Sequence, residues 1–465
     1  MIPLSLSTIE KETQGQLQGE DKVIHQVITD SRVDCREALF VALKGANFDG
    51  HEFINNAVEQ GAVAALVEHP VTTQIPQIVV ADTEKALGKI AGHVRDQVNP
   101  LVIGITGSAG KTTVKEMVAS ILRQKGHVLA TQGNFNNHIG VPLTLLRLEE
   151  TDQYAVIEMG ANHVGEIAYC ASIAKPDVSV INNVEAAHLE GFGSIEGVSK
   201  AKSEIYEGLS EEGTAVINLD SAFADDWAER FKSLHKVTVS RHKDANFVAD
   251  NCQLQANGNV LFDMQHTQDG SSQTVTVQLP VPGMHNVSNA LVAAALASVA
   301  GADMEMIKNG LETMVSVKGR LNQFKAPNGA LIVDDTYNAS VASVKAATDY
   351  LASLSGTKVL VLGDMGELGD ESERYHREVG EYAKHRNIDR LLVCGKWVKH
   401  SAEAFGKQAH WFETKDMLVS YMKSIIQSDY KILVKGSRSA RMEQVVDALV
   451  APAADEHNSS LGGNQ

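Results

Sequence analysis

The stretch Leu101-Val102-Ile103-Gly104-Ile105-Thr106-Gly107-Ser108-Ala109-Gly110-Lys111-Thr112-Thr113 constrains this chain more than any other. An apolar β-like run breaks at a glycine-rich turn and the turn closes on Lys-Thr. Apolar residues then recur at helical spacing (Val114, Met117, Val118, Ile121, Leu122). Strand, turn and helix in that order make a phosphate loop. Its glycines let backbone N–H groups approach phosphate oxygens, and the helix N-terminus adds partial positive charge. Lys111 adds a full charge, and Thr112 offers a hydroxyl to Mg²⁺. The usual spacing of two glycines is not met, because Ile105 holds the first glycine position. The form is Thr-Gly-x-x-Gly-Lys-Thr, and it predicts that Gly107, Ser108, Ala109, Gly110, Lys111, Thr112 and Thr113 bind a nucleotide. The plainer alternative is a βα turn with a surface lysine. It explains less, because every part follows in the order a phosphate site needs.

At 465 residues the chain has room for about three domains. Lys and Arg number 41 against 58 Asp and Glu, a formal charge of −17. A field of that sign disfavours nucleic acid as the main partner and leaves small anionic substrates to local cations. Cys35, Cys170, Cys252 and Cys394 are scattered, so neither a disulfide framework nor a zinc ribbon is expected, and reduced thiols of a cytoplasmic chain are. The first residues lack the charged and apolar regions of a signal peptide, and no apolar run nears the ~20 residues of a membrane span.

Along the chain, strands are expected at 23–28, 38–43 and 64–67, with a helix over 51–60 capped by Gly61. Polar clusters at 29–32 and 44–51 follow strands, where α/β folds bind ligands, although ordinary turn chemistry is the preferred reading of these residues by themselves. An amphipathic helix over 82–98 leads into the phosphate loop. The segment 131–140 is dense in Asn and Gly and suits a hydrogen-bonding loop. The strand 154–158 ends in Glu158, an acid placed as those that support Mg²⁺ beside phosphate loops. The strand 178–184 leads to His188, which is either structural or a metal or phosphate contact. The helix 194–209 carries Lys200 and Lys202, by themselves a solvated face. After the strand 214–218, residues 247–281 alternate as an antiparallel addition. Asn286 and Asn289 share the first turn of an alanine-rich helix, as caps or as readers of a purine base. From about Lys318 a new βα alternation begins, with strands at 331–335, 358–362, 390–394 and 431–434.

These residues together resemble the Mur ligases, the ATP-dependent amino-acid-adding enzymes of peptidoglycan synthesis. Thr106-Gly107-x-x-Gly110-Lys111-Thr112, Glu158, His188, Asn286/Asn289, Gly319-Arg320 and Asp335 fall in the family's order. The stretches Gly133-Asn134-x-Asn136-Asn137-x-Ile139-Gly140, Glu158-Met159-Gly160-Ala161, Asp334 to Ala339 and Leu362 to Gly369 resemble one member. Its acid substrate is UDP-N-acetylmuramoyl-tripeptide and its amine substrate is D-alanyl-D-alanine. One departure shows: Ser340-Val341 stands where the family usually has Asn-Pro.

The resemblance implies an α/β chain of three domains. They are a small N-terminal α/β domain for the UDP substrate (1–82), a central mostly parallel sheet flanked by helices for ATP (83–316), and a Rossmann-like domain (317–453). A disordered tail (454–465) would follow. It implies cytoplasmic location, a monomer and no membrane or nucleic-acid partner. The family's roles then fall on particular residues. Lys111 and the loop amides would hold the ATP phosphates. Thr112 and Glu158 would bind a first Mg²⁺, and His188 a second with a carbamate formed on Lys202. Asn286 and Asn289 would contact the nucleotide, Arg320 and Asp335 would complete the site, and Lys111, His188, Lys202, Arg320 and Asp335 would form the catalytic set. Ser31, Arg32, Asn134 and Asn137 would meet the substrate, and the loops near Asp364 and Ser437-Arg438 are candidates for the dipeptide. Two rivals remain: a related ligase such as a folylpolyglutamate synthase, and a phosphate-loop switch or motor.

Overall fold

The structure is a computed structural model that describes residues 1–45, 47–185, 189–255 and 258–451. His188 and the tail expected to be disordered lie outside the described residues. Among the described residues three main sheets follow one another along the chain. The first has five strands in the order Gln16–Gln18, Gln77–Val79, Ala64–Val67, Ala38–Val41, Gln26–Ile28. Only the Gln16–Gln18 strand runs antiparallel to its neighbour. The expected strand 23–28 is two strands: Val23–Ile24 pairs with Leu4–Ser5 in a separate ribbon, and Gln26–Ile28 joins the sheet. The expected helix 51–60 is a 3₁₀ turn, Gly50–Phe53, running into the α-helix Ile54–Glu59.

The central sheet has nine strands among the described residues. From Phe247–Leu254 through His235–Ser240, Thr214–Asn218, Val178–Ile181, Leu101–Thr106 and Asp152–Glu158 to His127–Ala130 every pairing is parallel. The strands Val260–Gln268 and Ser271–Leu279 extend it antiparallel, as the alternation of 247–281 predicts. Its central strands are apolar along their whole length because helices cover both faces. The helix Thr83–Val98, capped by Asp82, packs against the N-terminal helix Leu6–Thr13 and two helices of the central unit. The alanine-rich helix His285–Val299 and the phosphate-loop helix Lys111–Leu122 cover the other face.

The third sheet runs Asn322–Lys325, Leu331–Asp335, Lys431–Lys435, Lys358–Gly363, Arg390–Cys394, Ala409–Phe412, parallel except at its first pairing. Ser340, at the position of the family's Asn-Pro pair, caps the helix Val341–Ser353 in a reciprocal capping box with Ser343. The substitution therefore keeps a sharp helix start by other means.

The helices Lys111–Leu122 and Met304–Thr313 meet at Gly310. A Cβ there would sit 2.4 Å from the Ile121 Cα and 2.7 Å from its backbone nitrogen, contacts that no rotamer change relieves. Gly310→Ala is expected to destabilise the protein by about 2 kcal/mol, overpacking outweighing the roughly 1 kcal/mol gained in helix propensity. Urea midpoints of variant and parent check this.

Candidate active site

The phosphate loop sits at the C-terminal end of its strand, beside the ends of its two neighbours, as the parallel register dictates. Gly110 has φ +77°, and a Cβ on it would lie 2.6 Å from both the Asn182 and Asn289 side-chain amides, so only glycine fits. The loop is held from outside by an asparagine network. Asn182 Nδ2 donates to the Ala109 carbonyl (2.9 Å) and to Asn289 Oδ1 (3.0 Å), and Asn289 Nδ2 donates to Asn286 Oδ1 (2.9 Å). Asn286 in turn donates to the Pro282 carbonyl at 2.7 Å. Asn183 Oδ1 accepts from the Ala109 N–H at 2.8 Å. Asn286 and Asn289 are buried and spend these amide groups on shaping the loop, although both also line the adjoining cavity. Asn182 and Asn183 were invisible as site residues in the sequence; their signal is their place immediately past a strand that neighbours the loop.

Lys111 is half-buried and donates to the Gly107 carbonyl at 2.7 Å. Burial lowers its pKa, and Arg320 lowers it further, against the opposing charges of Glu158, Glu367 and Glu185. Thr112 donates its hydroxyl proton to Glu158 Oε2 at 2.9 Å. Asn136, in the loop over 131–140, donates to Glu158 Oε1 at 2.8 Å. Thr131 fixes the same acid by accepting its backbone N–H at 3.0 Å, and the Thr131 carbonyl takes the buried Lys115 amine at 2.6 Å. Thr131 and Asn136 are thus the residues of that loop that hold Glu158. Asn134 is exposed, and Asn137 Oδ1 caps Gly140 N–H at 2.8 Å. Ser31 and Arg32 lie in the N-terminal unit, where the exposed Arg32 pairs with Asp30 at 2.7 Å and holds that carboxyl down at about 2.

Lys202 is 1% exposed on the helix Ile195–Glu207, whereas Lys200 points to solvent. Burial, with the nearby charge of Lys111, pushes the Lys202 pKa well below the usual lysine range. A neutral amine is the form that reacts with CO₂.

The C-terminal unit closes one side of the site. Arg320 Nη2 donates to Thr112 Oγ1 at 3.3 Å, and its guanidinium lies over the Tyr337 ring at 4.4 Å. Tyr337 reaches the Gly133 carbonyl at 3.5 Å. Asp335 accepts from buried Lys435 at 2.6 Å, and Lys435 also donates to the Asn338 carbonyl at 2.9 Å. Between the units lies a cavity of about 380 Å³, lined by Gly110, Thr113, Asn286, Asn289, Arg320, Asp335 and Lys435 among others. Glu185 Oε2, Arg241 Nε and Arg320 Nε, on three residues lining this cavity, are buried without a hydrogen-bond partner. Such groups cost about 1–3 kcal/mol each, a cost that a polar ligand removes. Burial holds His285, on the same wall, near 4 despite the pull of Asp335, so its ring is neutral at pH 7.

Glu185 carries a pH signature. Burial raises its pKa from 4.5 to about 6, against the pull of Lys111. A raised acid pKa means the folded protein binds the proton more tightly. The penalty is absent below about pH 4.5 and grows as pH rises through 6, to about 2 kcal/mol for ~1.5 units. Glu185→Gln is therefore expected to raise stability at pH 8 by up to about 2 kcal/mol and to leave it unchanged at pH 4.5. Urea unfolding at the two pH values checks both halves.

The donor set suits Mg²⁺: an uncharged hydroxyl and a fixed carboxylate, both hard oxygen ligands, beside a phosphate loop. Among the described residues no cluster of three or more His, Cys, Asp or Glu side chains forms a metal cage. Nor is any described helix long and apolar enough to cross a membrane.

A parallel sheet with a phosphate loop, a facing acid and a second α/β unit contributing an arginine defines a nucleotide-dependent, multidomain α/β enzyme. Family models match in three consecutive parts: "Mur ligase family, catalytic domain" over 23–104, "Mur ligase middle domain" over 105–297 and "Mur ligase, glutamate ligase domain" over 319–438. The chain belongs to the Mur ligase family. It is 47% identical to UDP-N-acetylmuramoyl-tripeptide–D-alanyl-D-alanine ligase of Escherichia coli, over 97% of this chain and 99% of the relative. The enzyme of that name from Bacillus subtilis is 36% identical over 97% and 99%. Among solved structures, MurF from Acinetobacter baumannii superposes with a TM-score of 0.91 at 37% identity, covering 96% of this chain and 99% of its own. MurF from Thermotoga maritima, solved with ADP, gives 0.81 at 29%, covering 91% and 97%.

Proposed function

We propose that the protein joins D-alanyl-D-alanine to UDP-N-acetylmuramoyl-tripeptide at the expense of ATP, giving the pentapeptide precursor of peptidoglycan, ADP and phosphate. The observation that carries this reading is the cluster of Lys111, Thr112–Glu158 and buried Lys202, with Arg320 reaching Thr112 from the C-terminal unit. Similarity to ligases of this name over nearly the whole chain supports the choice of substrates.

A peptide carboxylate is a poor electrophile. Its oxygen takes the γ-phosphoryl group of ATP, ADP leaves, and an acyl phosphate forms. The dipeptide amine then attacks the acyl carbon, the C–N bond forms, and phosphate leaves with the C–O bond. Lys111 and the loop N–H groups hold the phosphates, and Arg320 adds positive charge as phosphoryl transfer proceeds. Thr112 and Glu158 would hold Mg²⁺, and His188 with a carbamate on Lys202 would hold a second ion. When bound, the metal neutralises charge on the transferring group. Asp335 lines the nucleotide cavity, where Lys435 donates to it and fixes its carboxylate. Contact between the C-terminal unit and the loop excludes the water that would hydrolyse the acyl phosphate. Residues 1–82, including Ser31 and Arg32, serve the UDP end, 83–316 serve ATP, and 317–453 complete the site. Asn134 and Asn137 border the substrate path. The protein acts in the cytoplasm as a monomer.

Purified protein given UDP-muramoyl-tripeptide, D-alanyl-D-alanine, ATP and Mg²⁺ should yield pentapeptide product, ADP and phosphate in equal amounts. AMP as product, or ATP turnover indifferent to the dipeptide, would sink this reading and favour a different ligase chemistry or a switch.

A further inference from the structure

The cavity beside the phosphate loop runs along the C-terminal edge of the central sheet. From Leu101–Thr106 the sheet steps through Val178–Ile181 and Thr214–Asn218 to His235–Ser240, each step parallel. Adjacent strands lie about 4.8 Å apart, so these steps carry the edge about 14 Å from the loop. The cavity wall also includes Val281, Met314, Val317, Leu321, Ala346 and Ala347, an apolar surface suited to the flat face of a base.

Arg241, the residue directly after His235–Ser240, brings a cation to this end of the cavity. Its backbone is pinned. Asp220 Oδ2 accepts the Arg241 N–H at 2.9 Å, and Asp220 Oδ1 accepts the Ser240 hydroxyl at 2.5 Å. Ser240 Oγ in turn accepts the N–H groups of His242 and Lys243 at 2.9 and 2.8 Å. Asp220 thus spends both oxygens on the turn. Among the described residues no carboxylate pairs with the Arg241 guanidinium, and its Nε is buried without a hydrogen-bond partner. Acids outnumber bases 58 to 41 in this chain, so a guanidinium left without one is placed for a ligand and not for an ion pair. The neighbouring polar groups are committed elsewhere. Asn286 and Asn289 bond to Pro282, to Asn182 and to each other. The neutral His285 ring lies against Gly283, where a Cβ would come within 2.7 Å of its Cε1. Arg241 is outside the residues to which the family resemblance gives the nucleotide.

A guanidinium only donates hydrogen bonds, so the ligand atoms it takes are acceptors. Adenine offers it ring nitrogens but sets an amino donor beside N7. A 6-oxopurine sets an oxygen there instead, and O6 with N7 is the acceptor pair that an arginine fork matches. We propose that Arg241 is a specificity-determining residue that reads the acceptor edge of the nucleotide's base and opens the site to 6-oxopurine triphosphates as well as ATP. The inference rests on the nucleotide site of the ligase reading above and goes beyond it in the choice of phosphoryl donor.

The test is calorimetric binding of ADP, IDP and inorganic tripolyphosphate, with Mg²⁺, to the full-length parent and to Arg241→Met, melting curves showing that the variant folds. The parent is expected to bind IDP within about threefold of ADP. Arg241→Met is expected to weaken ADP by about fivefold and IDP by about 30-fold, with tripolyphosphate, which has no base, within about twofold. In the ligase assay ITP should replace ATP in the parent, and Arg241→Met should raise KM for ITP more than KM for ATP. A parent that binds ADP but rejects IDP, equal losses for ADP and IDP in the variant, or an equal loss for tripolyphosphate overturns the assignment. The expected binding pattern without pentapeptide product would instead overturn the ligase reading and leave the role of Arg241 standing.

Discussion

Lys111→Met is expected to lower kcat/KM by about 10³-fold while leaving the fold intact. The side chain is half-buried, and burial already disfavours its charge, so methionine of similar length removes an electrostatic cost together with the catalytic cation. No neighbour replaces it. Lys435 is committed to Asp335, Arg320 is already stacked on Tyr337, and Lys202 is pushed toward neutrality. Steady-state ADP release measures the loss, and a melting temperature at or above that of the parent shows that the fold is kept. Activity within tenfold of the parent would place the phosphates elsewhere.

Lys202→Met is the second substitution with a large expected effect, and it separates stability from chemistry more sharply. A lysine 1% exposed is costly as a cation, and burial beside Lys111 favours the neutral amine. Methionine fills the same space without that cost, so urea stability should hold or rise. Activity should fall by about 10²–10³-fold, because the oxygen ligand that a carbamate supplies is gone. The parent enzyme in CO₂-free buffer should lose activity and regain it on adding bicarbonate, while the variant responds to neither. A parent enzyme indifferent to CO₂ would show that Lys202 works as a plain amine.

The local part of the site was legible in the sequence. Lys111 and Thr112 are adjacent in the chain, and Glu158 ends a strand whose apolar run is plain. The sheets were legible where strands are long and buried. The edge strands His127–Ala130, Asn322–Lys325 and Ala409–Phe412 were not, because short half-exposed strands carry little periodicity. The interior strand His235–Ser240 escaped for a related reason, because its first four residues are exposed or half-buried and Lys236, Thr238 and Ser240 interrupt the apolar run. What stayed hidden depends on chain segments far apart. Arg320 on Thr112 spans 208 residues and Lys435 on Asp335 spans 100. Asn286 and Asn289 were located correctly at a helix start, but their bonding partners could not be read from one turn of helix. The choice between Lys200 and Lys202 rested on resemblance and is given a physical basis by burial alone.

The Thr112 hydroxyl is shared: it donates to Glu158 and accepts from Arg320 of another unit. One oxygen therefore ties the aim of the central unit's acid to the seat of the C-terminal unit's arginine, so a change that moves either partner is felt by the other across the domain boundary.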